Sequence, residues 1–139
     1  MRKLTSDDII FENQNYVVNQ DWEVPIPGFF IVAPKKKIRS ITEFSEEEAR
    51  EFIGIVKRVR QGMDAIGIKD VYLFQNEDSE HGFHLWMFPR YDWMERFGRK
   101  IQSVRPIMEY AQKELTSESA KEEVYQTVKK MKSVLEKKK

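Results

Sequence analysis

The chain has 139 residues, of which 40% are hydrophobic, 34% charged and 12% aromatic. That length suits one domain with a real core, and the aromatic content argues against a disordered chain. Lys and Arg number 24 against 23 Asp and Glu, so a net charge of +1 gives no overall field that favours nucleic acid or an anionic membrane. The absence of cysteine excludes a disulfide framework, a thiol nucleophile and a cysteine-based zinc site. No apolar run approaches the ~18–20 residues needed to span a bilayer. The stretch from Met1 to Asp8 turns acidic before any signal-like apolar segment, so a cytoplasmic protein is expected. Imidazole chemistry can draw only on His81 and His84.

Residues 8–34 read as strands. Ile9-Ile10-Phe11 is followed by the polar turn Glu12-Asn13-Gln14-Asn15 and then by Tyr16-Val17-Val18. Val24-Pro25-Ile26-Pro27-Gly28 forms a stiff connector, and Phe29-Phe30-Ile31-Val32-Ala33, apolar on both faces, has the pattern of a central, covered strand. Pro34 and the basic run Lys35-Lys36-Lys37 end it.

Ser45 and Glu48 make a capping box, with Glu46 and Glu47 beside the positive end of the helix that follows. Phe52, Val56, Val59, Met63 and Ile66 recur at spacings of three and four, which is a core-facing stripe, and Gly67 stands where a left-handed cap belongs. A strand Val71-Tyr72-Leu73-Phe74 leads through the polar loop Gln75–Glu80 into a second strand, Gly82–Phe88, closed by Pro89-Arg90. Alternation sends Phe83, Leu85 and Met87 to the core and places Gly82, His84 and Trp86 on the other face.

The rest is helical. Val104, Ile107, Met108 and Ala111 predict a short helix after Ser103, with Pro106 in its first turn. Ser119 and Glu122 read as another capping box before Val124, Val128, Met131 and Leu135. The basic end of the chain is expected to be a solvated helix face with a frayed end, with nucleic-acid binding the weaker reading.

Pro27-Gly28-Phe29-Phe30-Ile31-Val32-Ala33-Pro34-Lys35, the capped helix, and His84-Leu85-Trp86-Met87-Phe88-Pro89-Arg90, taken in this order, resemble the histidine triad family of nucleotide hydrolases and transferases. The likeness runs from about residue 9 to residue 90. Aligned on Pro89-Arg90, Gly82 stands at the first histidine of the family's H-x-H-x-H signature, His84 at the middle one and Trp86 at the third. The stretch from His81 to Trp86, followed by Tyr91-Asp92-Trp93-Met94, is most similar to a divergent subgroup called diadenosine tetraphosphate hydrolase-like. The resemblance implies an α+β domain with a five-stranded, mostly antiparallel sheet, a long helix across it and C-terminal helices. It divides the chain into a nucleotide-binding domain over 1–115 and an amphipathic helical extension of the same domain over 116–139. It also implies a homodimer.

The same resemblance assigns roles. His84 matches the nucleophile that attacks the α-phosphorus of a nucleotide; the bland reading is a strand histidine satisfied by hydrogen bonds. Neutral imidazole suits the task when a backbone carbonyl orients its second nitrogen. His81, one residue early for the first triad position, either folds back to serve the phosphate or sits at the surface. Trp86 departs from the family: indole offers one N–H and no proton to relay, so it either bonds a phosphate oxygen or walls off the site. Asp21 matches the position that accepts from the ribose hydroxyls, or else it orders the turn before Trp22. Phe11 and Ile10 would line the base pocket, and Tyr91-Asp92-Trp93-Met94 either stacks on a second nucleoside or packs. Asn76 and Ser79 are candidates to bond phosphate. The acidic loop around them either holds Mg²⁺ with a polyphosphate substrate, the one cofactor in question, or is simply solvated. Lys37 either draws in substrate or is solvated, and the pair His81/His84 makes a poor metal site.

The function expected is a nucleotide hydrolase or nucleotidyl transferase acting at the α-phosphate of a nucleoside phosphate or dinucleoside polyphosphate. The alternative is a nucleotide-binding protein with impaired catalysis and a regulatory or partner-binding role, for which Trp86 and the lack of the family's phosphate loop before the motif are the support. A third reading makes the basic C-terminal helix a contact for a partner or RNA.

Overall fold

The computed structural model describes residues 5–137. The first residues of the amino terminus, and Lys138 and Lys139 of the terminal lysine run, lie outside them. Five strands, β1 (Ile9–Glu12), β2 (Tyr16–Gln20), β3 (Phe30–Pro34), β4 (Val71–Gln75) and β5 (Leu85–Pro89), form one sheet in the order β1-β2-β3-β5-β4, and every neighbouring pair is antiparallel. The helices are α1 (Glu46–Ala65), α2 (Val104–Glu114) and α3 (Glu118–Lys137). This is the expected α+β arrangement of a five-stranded sheet, a long crossing helix and C-terminal helices.

The β1–β2 turn closes because the Asn13 carboxamide oxygen accepts from the backbone N–H groups of Asn15 and Tyr16, both at 2.9 Å. β3, apolar on both faces, takes the central place in the sheet, and Pro34 is its last residue, at a strand end where the missing N–H costs nothing. Ser45 caps α1 with the full box: its Oγ accepts from Glu48 N at 3.1 Å while Glu48 accepts from Ser45 N at 2.8 Å. The Tyr16 hydroxyl donates to the Glu48 carbonyl at 2.7 Å and ties the first turn of α1 to the sheet.

The sheet separates two apolar clusters. On one face, Phe52, Val56, Val59 and Met63 of α1 and Val128, Met131 and Leu135 of α3 pack on Tyr16, Val18, Phe30, Val32, Phe83 and Met87. On the other face, Val104, Ile107 and Ala111 of α2 pack on Val24, Ile26, Phe29, Phe88 and Met94. α3 approaches α1 closely at Gly62, where a Cβ would come within 2.9 Å of the Met131 methyl carbon. Its apolar stripe is thus core, shared with α1 and β1, while the lysines between face outward.

Two expected boundaries move. The second capping serine is Ser117, whose Oγ accepts from Ala120 N at 3.1 Å, so α3 starts before Ser119 and encloses it. The strand expected from Gly82 begins only at Leu85, because Gly82 adopts φ +83 and breaks the extended run. Alternation nevertheless sorts the side chains as expected: Phe83 and Met87 are buried towards α1, and Trp86 lies on the opposite side.

Candidate functional site

His84 sits where the chain enters β5. Leu85 pairs with Val32, so His84 is level with Ala33 of β3 and, through it, Val17 of β2. These three floor a cleft of about 290 Å³ whose sides are Pro34–Ile38, following β3, and His81–Phe83. The two sides are held together by Phe83 N–H donating to the Ile38 carbonyl at 2.9 Å, outside the register of the β3–β5 ladder. His84 Nδ1 lies 3.1 Å from the Gly82 carbonyl oxygen. A carbonyl only accepts, so in the neutral ring Nδ1 carries the hydrogen and Nε2 keeps the lone pair. Gly82 has to supply that carbonyl from a positive φ, and a Cβ there would stand 3.1 Å from the Ile38 oxygen. A side chain at the first triad position, histidine included, is strained in this backbone.

His81 borders the same cleft, its ring 6.4 Å from that of His84 and nearly perpendicular to it. Its side chain is also 45% exposed and lies 4.0 Å from Glu80. Lys35, Lys36 and Lys37 line the opposite side. Lys35 is held by Glu12 at 2.7 Å and Lys36 by Glu48 at 3.0 Å, whereas Lys37 has no ion-pair partner among the described residues. Sequence reasoning weighed Lys37 and passed over Lys35 and Lys36. The signal was present in the adjacency of the basic run to β3, but only the β3–β5 pairing shows which histidine it faces.

Trp86 stacks on Phe74, centroids 5.8 Å apart and 14° from parallel, and its ring is 5.8 Å from His84 on the same face of the sheet. It is an aromatic wall beside the cleft rather than part of its lining. Asp21 shares that face, but the register puts it level with Phe29 and Phe88, four residues or roughly 13 Å further along the strands than His84. Its Oδ1 accepts from Glu23 N at 2.8 Å and Val24 N at 3.2 Å, so it does order the turn at Trp22, and Oδ2 has no protein partner among the described residues. Burial pushes the Asp21 carboxyl up to about 6, against the pull of those two backbone N–H groups.

The remaining candidates are not brought to the cleft. Phe11 lies on the α1 face of the sheet, under the Arg58 guanidinium at 5.3 Å, and Ile10 is buried in the same cluster, so neither lines a pocket with His84. A bulge between Ile9 and Phe11 turns Phe11 to that side. Ser79 shapes the turn before the motif, its Oγ accepting from His81 N at 3.1 Å, and Asn76 is exposed at the start of the loop. Glu77 of that loop pairs with Arg39 at 3.1 Å. No three histidine or carboxylate groups among the described residues come together as a metal site. Met94 is fully buried under α2, while Trp93 packs on Tyr110 at the surface. No helix among the described residues is long and apolar enough to cross a membrane.

No family model matches the sequence, and no curated protein matches it. Solved structures do. A HIT-like protein from Bartonella henselae, described as involved in cell-cycle regulation, superposes over 91% of this chain and 85% of its own, with a TM-score of 0.62 at 17% identity. A zinc-bound histidine triad family protein from Mycobacterium smegmatis matches 93% of this chain and 84% of its own, TM-score 0.64, at 13% identity. A HIT family member from Bacillus subtilis matches 79% and 89%, TM-score 0.56, at 20% identity. These likenesses extend over nearly the whole chain, and this chain has the histidine triad fold.

Proposed function

We propose that the cleft binds a nucleoside phosphate with its α-phosphate beside His84 and that His84 is the nucleophile of a hydrolase or nucleotidyl transferase. The observation that carries this reading is the 3.1 Å contact between His84 Nδ1 and the Gly82 carbonyl, which favours the hydrogen on Nδ1 and leaves Nε2 as the attacking nitrogen, within a cleft sided by Lys35–Lys37. The Nε2 lone pair forms the N–P bond as the bond from phosphorus to the leaving-group oxygen breaks, and the electron pair leaves with that oxygen. Water, or another acceptor, then attacks phosphorus and the N–P electrons return to Nε2, with one proton released for each water consumed. Positive lysine ammonium groups favour the anionic phosphoryl group through both steps.

Trp86 bears on the leaving group. Without an imidazole at that position no proton is delivered there to a departing oxygen or nitrogen, a contribution typically worth ~10²–10⁴ in rate. A phosphate or pyrophosphate departs as an anion without such help, whereas an amine does not. That favours a dinucleoside polyphosphate over a phosphoramidate, with His81, which borders the cleft, as the donor to leaving-group oxygens. Asp21, ionised above about pH 6, offers its unpartnered Oδ2 to the ribose hydroxyls of an extended nucleotide. The sequence resemblance to the histidine triad family further implies a homodimer.

Incubation with labelled diadenosine tetraphosphate is expected to give nucleoside phosphates and, on rapid quenching, a nucleotidyl adduct on the intact protein. His84→Ala should abolish both while still being stabilised by AMP. The stacked Trp86 favours one rival reading, a nucleotide-binding protein without turnover. If parent and variant are equally inert yet both melt higher with AMP, that rival stands. Neither turnover nor stabilisation would overturn both.

A further inference from the structure

At the opposite end of β5 the fold leaves a second, larger cleft of about 610 Å³, within the ~300–1,000 Å³ typical of small-molecule sites. Tyr91 contributes to its floor, Trp93 and Tyr110 to one side, and the α3 residues Glu122, Glu123 and Lys130 to the other. Seven residues, on the order of 20 Å of extended chain, separate Tyr91 from His84, so this is not a subsite of the histidine cleft.

Three independent features specify its chemistry. The first is a rigid aromatic surface. The Tyr91 hydroxyl donates to the Pro27 carbonyl and pins the ring, while Trp93, 36% exposed, lies 5.4 Å from Tyr110. The second is charge: the lining carries two carboxylates and one ammonium. Neither Glu122 nor Glu123 has an ion-pair partner among the described residues; Glu122 accepts only from the Gln126 amide at 2.8 Å. The third is that one ring of this wall, Tyr110, already engages a cation. The Arg96 guanidinium stacks over Tyr110 at 4.5 Å and over Phe97 at 4.8 Å.

We infer that this cleft binds a small organic cation, an ammonium on an apolar body, with the body against Tyr91, Trp93 and Tyr110 and the charge at Glu122 and Glu123. Cation–π attraction and the paired carboxylates act on the charge, and the rings exclude water from the apolar part. The cleft is independent of turnover at His84.

The test is a titration of the ¹⁵N-labelled full chain with benzyltrimethylammonium, with benzyl alcohol as the neutral analogue and benzenesulfonate as the anionic one. The Trp93 indole signal, assigned by its loss in Trp93→Phe, should shift saturably with the cation while the Trp86 signal stays in place. The neutral analogue should bind about tenfold more weakly, and Glu122→Gln/Glu123→Gln should bring the cation down to the same level. An unchanged melting temperature shows that this surface variant is folded. Absence of a saturable shift, equal binding of all three probes, preference for the sulfonate, or an unaffected double variant would each overturn the inference.

Discussion

At the scale of single residues, the cleft depends on a backbone irregularity. Gly82 breaks the strand with a positive φ, and the carbonyl so presented fixes the His84 ring. Glycine at the first triad position is thus a conformational requirement of this chain rather than a bare loss of a histidine. Asp21 makes a separate prediction. Its folded-state pKa of about 6 lies above the ordinary 3.8, so the folded chain holds this proton more tightly than the unfolded one. The stability so gained is complete below the ordinary value and is lost as pH rises through about 6. Asp21→Asn keeps an Oδ1 acceptor for the two backbone N–H groups and removes the charge. It should be more stable than the parent near neutral pH by about 1 kcal/mol, the full shift being trimmed because the side chain is partly exposed. Urea unfolding at ~pH 7.5 and ~pH 4 checks this; the gap should close at the lower pH.

Among the elements, α1 and α3 carry most of one core face, and each contains a testable position. Gly54 lies in the middle of α1 with open space where a Cβ would stand, so nothing in the packing calls for glycine there. Gly54→Ala should raise stability by about 0.5–1 kcal/mol, read from the thermal midpoint, through helix propensity alone. Met131 is fully buried beneath α1, its methyl carbon filling the space left by Gly62. Met131→Ala should cost about 2–5 kcal/mol in urea unfolding, since the removed atoms leave a cavity between two helices. A loss below ~1 kcal/mol would mean that α3 is an appendage, as its basic sequence first suggests.

For the molecule as a whole, a net charge of +1 hides a local imbalance. The sheet brings a lysine run and two histidines to one cleft, while of the loop before β5 Glu77 pairs with Arg39 and Glu80 stands 4.0 Å from His81. Nucleotide binding should therefore weaken with salt, as expected for charges largely exposed to solvent. Lys37→Gln should lower AMP affinity by about three- to tenfold at low ionic strength, and the difference should narrow as salt is added, measured by calorimetric titration.

The element types, the capping of α1, the central place of β3 and the core stripes of all three helices were legible in the sequence. Each depends on local propensity or on a periodicity of two or between three and four, which the chain carries in itself. The resemblance around His84 was legible too, because Pro89 and Arg90 fix its register. Three features were not. The turn at Gly82 depends on a hydrogen bond from Phe83 to Ile38, 45 positions earlier. The bulge in β1 turns Phe11 to the α1 face of the sheet, and alternation cannot foresee a bulge. The choice of Ser117 over Ser119 came down to which of two nearby serines reaches a free N–H. By itself, then, the sequence determined the elements, the buried faces and the histidine to test. The tertiary structure alone decided which lysines face that histidine, which nitrogen it presents and that a second cleft opens beyond β5, because each of these is set by residues distant in the chain meeting across strands and helices.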